Sequence, residues 1–424
     1  MIFITYICSV IKKISPIVKI DGELIIPSSK SFSQRAVACA LLSNEKSIIK
    51  NFGDSSDELT ALEILKNSKS ISVKNSTLTI NPTTEIHLIK NELLFNESGL
   101  SSRLFTPVLA TLTNKIKLNG NGSLLKRPME LFDQILPDLE VDFQSNNGKL
   151  PFLIKGPLKP KSIEIDGSLS SQFISGLIYA YVGSKSLSNQ SIKLLNPSSI
   201  PYLELSLDVL EKFGVNLSIK NNTIQFNGPY QLKPCEITIE NDWSSASFFI
   251  VAAALKGVLH FKGMNPNSFQ ADRKILLALK EFGANYYWKN DTLTVSKSYC
   301  KSFNFDATHC PDLFPALAVL GSFGNSKSTI KGVQRLFSKE SNRAKTIVSE
   351  LTKLGANIEI KEDIMHIYPA GKPIDFKVDS CNDHRIAMAS AIFSLMLDQP
   401  VEITHAEAVN KSFPSFYKLL DSLT

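Results

Sequence analysis

Six segments of this 424-residue chain are apolar on every side of a helical wheel: "RAVACALL", "LFTPVLATL", "FISGLIYAYV", "SASFFIVAAAL", "LFPALAVLG" and "RIAMASAIFSLML". A helix without a polar face has to be buried. All six fall short of the ~18 apolar residues that a membrane span needs. The chain must therefore build a fold that surrounds six short helices with protein.

Between them a second phrase recurs, an amphipathic helix followed by two short strands about a polar turn. It reads "ALEILKNSKSISVKNSTLTINP" from Ala61, "LFDQILPDLEVDFQSNNGKLPFLIKG" from Leu131 and "LDVLEKFGVNLSIKNNTIQFNG" from Leu207. It returns as "LLALKEFGANYYWKNDTLTVSK" from Leu276 and "IVSELTKLGANIEIKEDIMHIYPAG" from Ile347. Apolar residues at i, i+3 and i+4 mark a helix with one buried stripe. Gly214, Gly283 and Gly355 stand where a left-handed helix cap needs no Cβ. Asn221-Asn222, Asn290-Asp291 and Glu362-Asp363 separate alternating strands, as hairpin turns do. The period of roughly 70 residues exceeds that of a solenoid repeat, so each unit is a βα module. The reading is an α/β protein with three such units in each of two domains. The sixth unit lacks a hairpin after "PVEITHAEAVNKSFPSFYKLLDSL", and the N-terminal segments "MIFITYICSV" and "SPIVKI" are expected to complete it. One domain then runs 28–239, and the other joins 1–27 to 240–424, with crossings near Pro27 and Glu240.

Composition narrows the function classes. A hydrophobic content of 43% with 20% charged residues is that of a globular protein. The net charge of +6 is not gathered into a basic, aromatic-studded groove, which argues against nucleic acid as a partner. Cys8, Cys39, Cys235, Cys300, Cys310 and Cys381 form no CxxC pair, so reduced thiols in a cytoplasmic setting are expected, without a zinc site or disulfide framework. "MIFITYICSV" has no basic n-region or small-residue cleavage end and reads as a strand rather than a signal peptide.

The residues just before each all-apolar helix carry the chemistry. They are "PSSKSFSQR", "NESGLSSR", "DGSLSSQ", "ENDWSSA", "ATHCPDL" and "SCNDHR". Ser, Asp and Asn at such places cap the orphan N–H groups of a helix start. Capping does not account for Lys30, Arg35, Arg103, Gln172 and Arg385, because cations are unfavourable at the positive end of a helix dipole. A bound anion reverses that sign. Helix starts with added Arg and Lys, facing a common interdomain cleft, would make a funnel for a multiply charged anion. Ser31 and Arg35, four residues apart on one helix face, could grip a phosphate together. "LLKRPMEL" adds Arg127, "FSKESNRAK" adds Lys339, Glu340 and Arg343, and "NKSFPSF" adds Lys411.

Taken in order, "PSSKSFSQRA", "DGSLSSQF", "SKESNRA", "NDHRIAM" and "KSFP" resemble the 5-enolpyruvylshikimate-3-phosphate synthases, a family of enolpyruvyl transferases, over nearly the whole chain. The resemblance implies a two-domain inside-out α/β barrel, with helices buried inside the sheets and a site between the domains. It implies transfer of the enolpyruvyl group of phosphoenolpyruvate to the 5-hydroxyl of shikimate 3-phosphate by a monomeric enzyme using no metal or organic cofactor. By matching position, Lys30, Ser31, Arg35, Ser170, Ser171, Gln172, Ser199, Asp312 and Lys339 are expected around shikimate 3-phosphate. Lys30, Gly99, Arg127, Gln172, Arg343, Arg385 and Lys411 are expected around phosphoenolpyruvate. Asp312, Glu340 and Lys30 take the proton-transfer roles. Two carboxylates and two phosphates in one place need several fixed cations, and Arg forks match both groups. A sister enzyme acting on a UDP-amino sugar shares the fold but carries a reactive loop Cys, for which this sequence has no counterpart; an inactive phosphate-binding relative would lose Asp312, Glu340 or Lys411. Departures from the family pattern are Ser28 for Gly, Leu100 after Gly99, Asn342 for Asp, Ile200 for Lys, and Arg335 where some members have Asn.

Overall fold

The computed structural model describes residues 10–168, 170–186 and 188–423. Two compact units emerge. The N-half unit is Pro27–Asp242 with Asn267–Ala271; the C-half unit is the chain up to Ile26, Trp243–Pro266, and the chain from Asp272 on.

In the N-half unit one sheet pattern occurs three times. Glu92–Leu94 lies parallel to Lys115–Asn119, which is antiparallel to Phe152–Lys155, itself paired with Asp142–Gln144. The parallel pair brackets the buried helix Gly99–Leu109, and the antiparallel pair is the hairpin after the amphipathic helix Leu131–Asp138. The order recurs in Ile163–Asp166, Asn189–Leu195, Thr223–Asn227 and Ile219–Lys220. In the remaining sheet Cys235–Thr238, from the far end of the unit, lies parallel to Ser47–Lys50. Ser29 N donates to Glu240 O at 2.7 Å and Asp242 N to Pro27 O at 2.9 Å, so the two ends of the stretch Pro27–Asp242 are tied side by side.

The C-half unit repeats the pattern around Ser328–Lys331 and Gly257–Lys262. Among the described residues its third sheet has three strands, Lys12–Ile14, Val401–Thr404 and Lys377–Asp379. Here the expected completion is corrected. Lys12–Ile14 does pair with Val401–Thr404, but the next strand, Ile20–Ile25, lies parallel to Gly257–Lys262 in another sheet. "SPIVKI" is mostly the bridge between the two, and most of "MIFITYICSV" lies outside the described residues. The reason is pairing demand: Gly257–Lys262 follows a buried helix and needs a parallel neighbour, which nothing else in its unit supplies.

The all-apolar segments are helices buried on every side: Lys30–Leu42, Gly99–Leu109, Ser171–Gly183, Trp243–Lys256, Phe314–Ser322 and His384–Ser394. The hairpin turns adopt positive φ at Asn221, Asn222, Asn290 and Glu362, and Gly283 closes its helix at φ +84°. Packing between buried helices leaves no spare volume. A Cβ on Gly176 would lie 2.5 Å from the carbonyl oxygen of Arg103 and 3.0 Å from that of Leu104. Gly176→Ala is therefore expected to lower stability by about 1–3 kcal/mol despite its better helix propensity. A urea midpoint equal to or above wild type would show that the helices do not approach so closely.

Candidate active site

The helix starts of the N-half unit are cross-linked by side chains. Ser29, Ser98 and Ser170 cap Lys30–Leu42, Gly99–Leu109 and Ser171–Gly183, accepting from the N–H groups of Phe32, Ser101 and Gln172. Ser101 Oγ donates to Gln34 Oε1 at 2.8 Å, joining the first two helices. Arg103 Nη1 donates to Gln172 Oε1 at 2.9 Å, joining the second to the third, while its guanidinium stacks on Phe173. Arg127 is buried beside Gly99, where a Cβ would collide with its Nη1. The absent side chain at Gly99 is what gives that guanidinium its place. Ser171 and Ser199 are buried, whereas Lys30, Ser31, Ser170 and Gln172 are half-exposed. Ser199 holds a left-handed φ of 54° ahead of Ile200–Lys212.

Arg35, expected to grip a phosphate together with Ser31, is enclosed by protein. It is 1% exposed and donates to Ser206 Oγ at 2.8 Å, Ser31 O at 2.8 Å, Tyr202 O at 3.2 Å and Ser175 Oγ at 3.4 Å. Among the described residues its partners are thus two hydroxyls and two carbonyls. Burial pulls its pKa down, against the pull of Tyr179 and Tyr202. A buried cation held only by neutral groups favours an anion nearby.

The first turn of the amphipathic helix Ser56–Lys66 supplies two supports that the sequence reading missed. Asp57 pairs with Lys30 at 2.7 Å. Buried Glu58 accepts from Ser28 Oγ at 2.9 Å, Ser33 Oγ at 2.6 Å and Ser55 Oγ at 2.6 Å. Burial raises the Glu58 pKa, opposed by those hydroxyls. Ser28, a departure from the family pattern, is thereby explained: its hydroxyl ties the loop before Lys30 to Glu58. The signal was available as "SSDE", a Ser with Glu three residues on, which is a capping box.

In the C-half unit the predicted residues converge on Asp312, which sits in the turn Pro311–Leu313 leading into Phe314–Ser322. Asp312 Oδ1 meets Arg343 Nη1 at 2.7 Å and Lys339 Nζ at 3.4 Å, and Oδ2 meets Arg385 Nη2 at 3.1 Å. Arg343 also holds Glu340 through Nη2. Burial raises the Asp312 pKa, but Arg385, Lys339 and Arg343 outweigh it and leave the carboxyl well below its usual range. Burial lowers the Lys339 pKa against the pull of Asp312, and Arg335 behaves likewise, so Arg335 belongs to the same charge cluster. Lys411 Nζ donates to Asn382 O at 2.7 Å.

Asp383 organises this group. It is fully buried, caps His384–Ser394 by accepting from Arg385 N at 3.0 Å, and takes Arg343 Nε at 2.8 Å and Nη2 at 3.2 Å. Asn342, another departure, caps Arg343–Lys353 by accepting from Lys345 N. The guanidinium of Arg343 is oriented by Asp383 from a distant segment, so the neutral residue beside it leaves it anchored. Leu100, next to Gly99, is buried in the hydrophobic core.

The described residues contain no His, Cys, Asp and Glu group suited to a metal ion, and no helix long and apolar enough to cross a membrane. Cys39 is buried within its helix, where burial pushes its thiol far above the usual range.

Comparison with known proteins decides the family. The model of "EPSP synthase (3-phosphoshikimate 1-carboxyvinyltransferase)" matches residues 14–420. The chain belongs to this family. A 3-phosphoshikimate 1-carboxyvinyltransferase of Clostridium kluyveri is 35% identical over 411 residues, covering 96% of this chain and 95% of the relative. The enzyme of the same name from Clostridium acetobutylicum is 34% identical over 417 residues, covering 95% of each. Among solved structures, EPSP synthase from Acinetobacter baumannii aligns with a TM-score of 0.81 at 25% identity, over 97% of both chains. The enolpyruvyl transferase NikO from Streptomyces tendae shares the fold, with a TM-score of 0.77 at 15% identity over 98% of this chain and 97% of its own.

The depressed pKa of Asp312 has a measurable consequence. Its stabilising contribution is complete above the unfolded value of about 3.9 and is lost as pH falls below it toward the folded value. Asp312→Asn is expected to flatten the acid side of the stability profile, measured by urea unfolding across acidic pH. An unchanged acid limb would mean that Asp312 is not held by these cations.

Proposed function

We propose that this chain transfers the enolpyruvyl group of phosphoenolpyruvate to the 5-hydroxyl of shikimate 3-phosphate, the step toward chorismate and the aromatic amino acids. Shikimate 3-phosphate is held by Lys30, Ser31, Arg35, Ser170, Ser171, Gln172, Ser199, Asp312 and Lys339. Phosphoenolpyruvate is held by Lys30, Gly99, Arg127, Gln172, Arg343, Arg385 and Lys411. The observation that carries the reading is the set of cations about Asp312, with Glu340 on the same guanidinium. A carboxylate to take a proton and an acid to give one stand together among groups suited to a small dianion.

In the first step the 5-hydroxyl oxygen bonds to C2 of phosphoenolpyruvate and its proton passes to Asp312. The C3 methylene gains a proton from Glu340 or Lys30, giving a tetrahedral ketal phosphate. In the second step C3 returns a proton to the group that gave it and the C2–O bond to phosphate breaks, leaving the enol ether and inorganic phosphate. Positioned proton donors and acceptors of this kind contribute about 10²–10⁴-fold to rate. Asp57 keeps Lys30 oriented for its part in that exchange.

The two units are read as the functional domains 28–239 and 1–27 plus 240–424, each an inside-out α/β barrel of three units. We take the enzyme to be a cytoplasmic monomer; the five described cysteines are thiols, which suits a reducing compartment.

Phosphate release should require both substrates and stop when either is omitted. Release from phosphoenolpyruvate alone, or none with both present, would overturn the reading. Arg127→Ala should cost about two to three orders of magnitude in kcat/KM for phosphoenolpyruvate, as removal of a preorganised donor does, with a far smaller loss for shikimate 3-phosphate. Equal losses for both would reassign Arg127.

A further inference from the structure

Arg343 has two unequal edges. Its inner edge, Nε with Nη2, rests on Asp383, which is wholly buried and is further fixed by Ser341 Oγ at 3.0 Å and by its capping bond to Arg385 N. Its outer edge, Nη1 and Nη2, lies on Asp312 and Glu340, whose side chains are 23% and 18% exposed. One edge is permanent and the other is open to exchange. The two carboxylates on the exchangeable edge are the pair assigned to proton transfer.

We propose that Arg343 clamps both working carboxylates out of action, with Asp383 and Ser341 as its positioning residues, and that phosphoenolpyruvate releases them by taking over the outer edge. This rests on the enolpyruvyl-transfer reading above. Asp312 is faced by Arg343 and Arg385 from two helix starts, by Lys339 and Glu340 from the segment just before Arg343, and by Arg335 from the turn Val333–Leu336. Four cations thus meet three carboxylates, counting Asp383, within one cluster. Held by three of those cations, Asp312 is a counter-ion and a poor acceptor for a hydroxyl proton. A ligand carrying both a carboxylate and a phosphate offers anionic oxygens to Arg343 and Arg385 together. Sharing those forks with the ligand loosens their grip on Asp312 and Glu340, and the loss of neighbouring positive charge restores the basicity of Asp312. The base is then available only when the electrophile is present, so the bound hydroxyl is not deprotonated without its partner.

The clamp makes an unusual demand: removing the carboxylate that competes for the cations should improve anion binding. Binding of phosphoenolpyruvate, and of sulfate as a probe whose charge is fixed across the acid range, is measured by calorimetry with shikimate 3-phosphate absent and present. Asp312→Asn should bind both anions several-fold more tightly than wild type while losing turnover. Asp383→Asn should weaken both, through a mispositioned Arg343, and in that background the tightening from Asp312→Asn should shrink. Circular dichroism and urea midpoints confirm that each variant is folded. In wild type, sulfate binding in buffers of different ionisation heat should be accompanied by proton uptake at acidic pH, absent in Asp312→Asn. Unchanged or weaker anion binding by folded Asp312→Asn, or no proton uptake by wild type, overturns the clamp. If wild type fails to turn over the two substrates, the enolpyruvyl-transfer reading falls instead, which the anion-binding arms do not measure.

Discussion

A helix enclosed by protein still has a positive end that must be answered. Its first N–H groups lack intrahelical partners, and the dipole adds partial positive charge there. For four of the buried helices that requirement is met by the same device, a short polar loop between a parallel strand and the helix. Ser29, Ser98, Ser170 and Asp383 each satisfy one such N–H group. The loops are then committed to lie at one end of the buried helices, and side chains placed on them meet their neighbours. Arg103 reaching Gln172, and Ser101 reaching Gln34, are consequences of that placement.

The two units answer the resulting positive potential differently. In the N-half unit Arg35 is braced by hydroxyls and carbonyls, while Lys30 is balanced by a carboxylate, Asp57. In the C-half unit carboxylates are interleaved with the cations, and Asp383, Asp312 and Glu340 share Arg343. Burying such a network is costly unless each member is paired, because an unpaired buried charge loses its hydration without return. Its persistence at the start of an apolar helix is therefore a mark of function. Chemistry that moves protons needs carboxylates, chemistry that binds dianions needs cations, and only mutual pairing lets both sit at the edge of a core.

Much of this could be seen in the linear chain. Helices without a polar face announced their own burial, and turn residues such as Asn221-Asn222 and Glu362-Asp363 located the hairpins because few residues tolerate positive φ. Lys30, Arg35, Arg103 and Arg385 were recognisable as cations in places where helix dipoles disfavour them. Less visible were the supports. Asp57 and Glu58 look like ordinary acidic residues of a helix start, which is also what they are. Nothing local separates that role from holding Lys30, Ser28 and Ser33. The burial of Arg35 was not legible, because a four-residue spacing gives a shared helix face and not the direction in which a long side chain turns.

The order of residues by itself determined six buried helices, their polar starts, the repeated module and the residue types able to handle two phosphorylated acids. Periodicity and capping are local rules, so they can be read without knowing the fold. Only the tertiary structure decided that Ile20–Ile25 serves Gly257–Lys262, that Asp383 rather than a neighbour of Arg343 aims its guanidinium, and that Asp312 and Glu340 share one cation. Apart from Glu340 and Arg343, three residues apart, those pairings join segments tens to hundreds of residues apart, and strand partners and distant buried charges choose each other by geometry that has no trace in spacing along the chain.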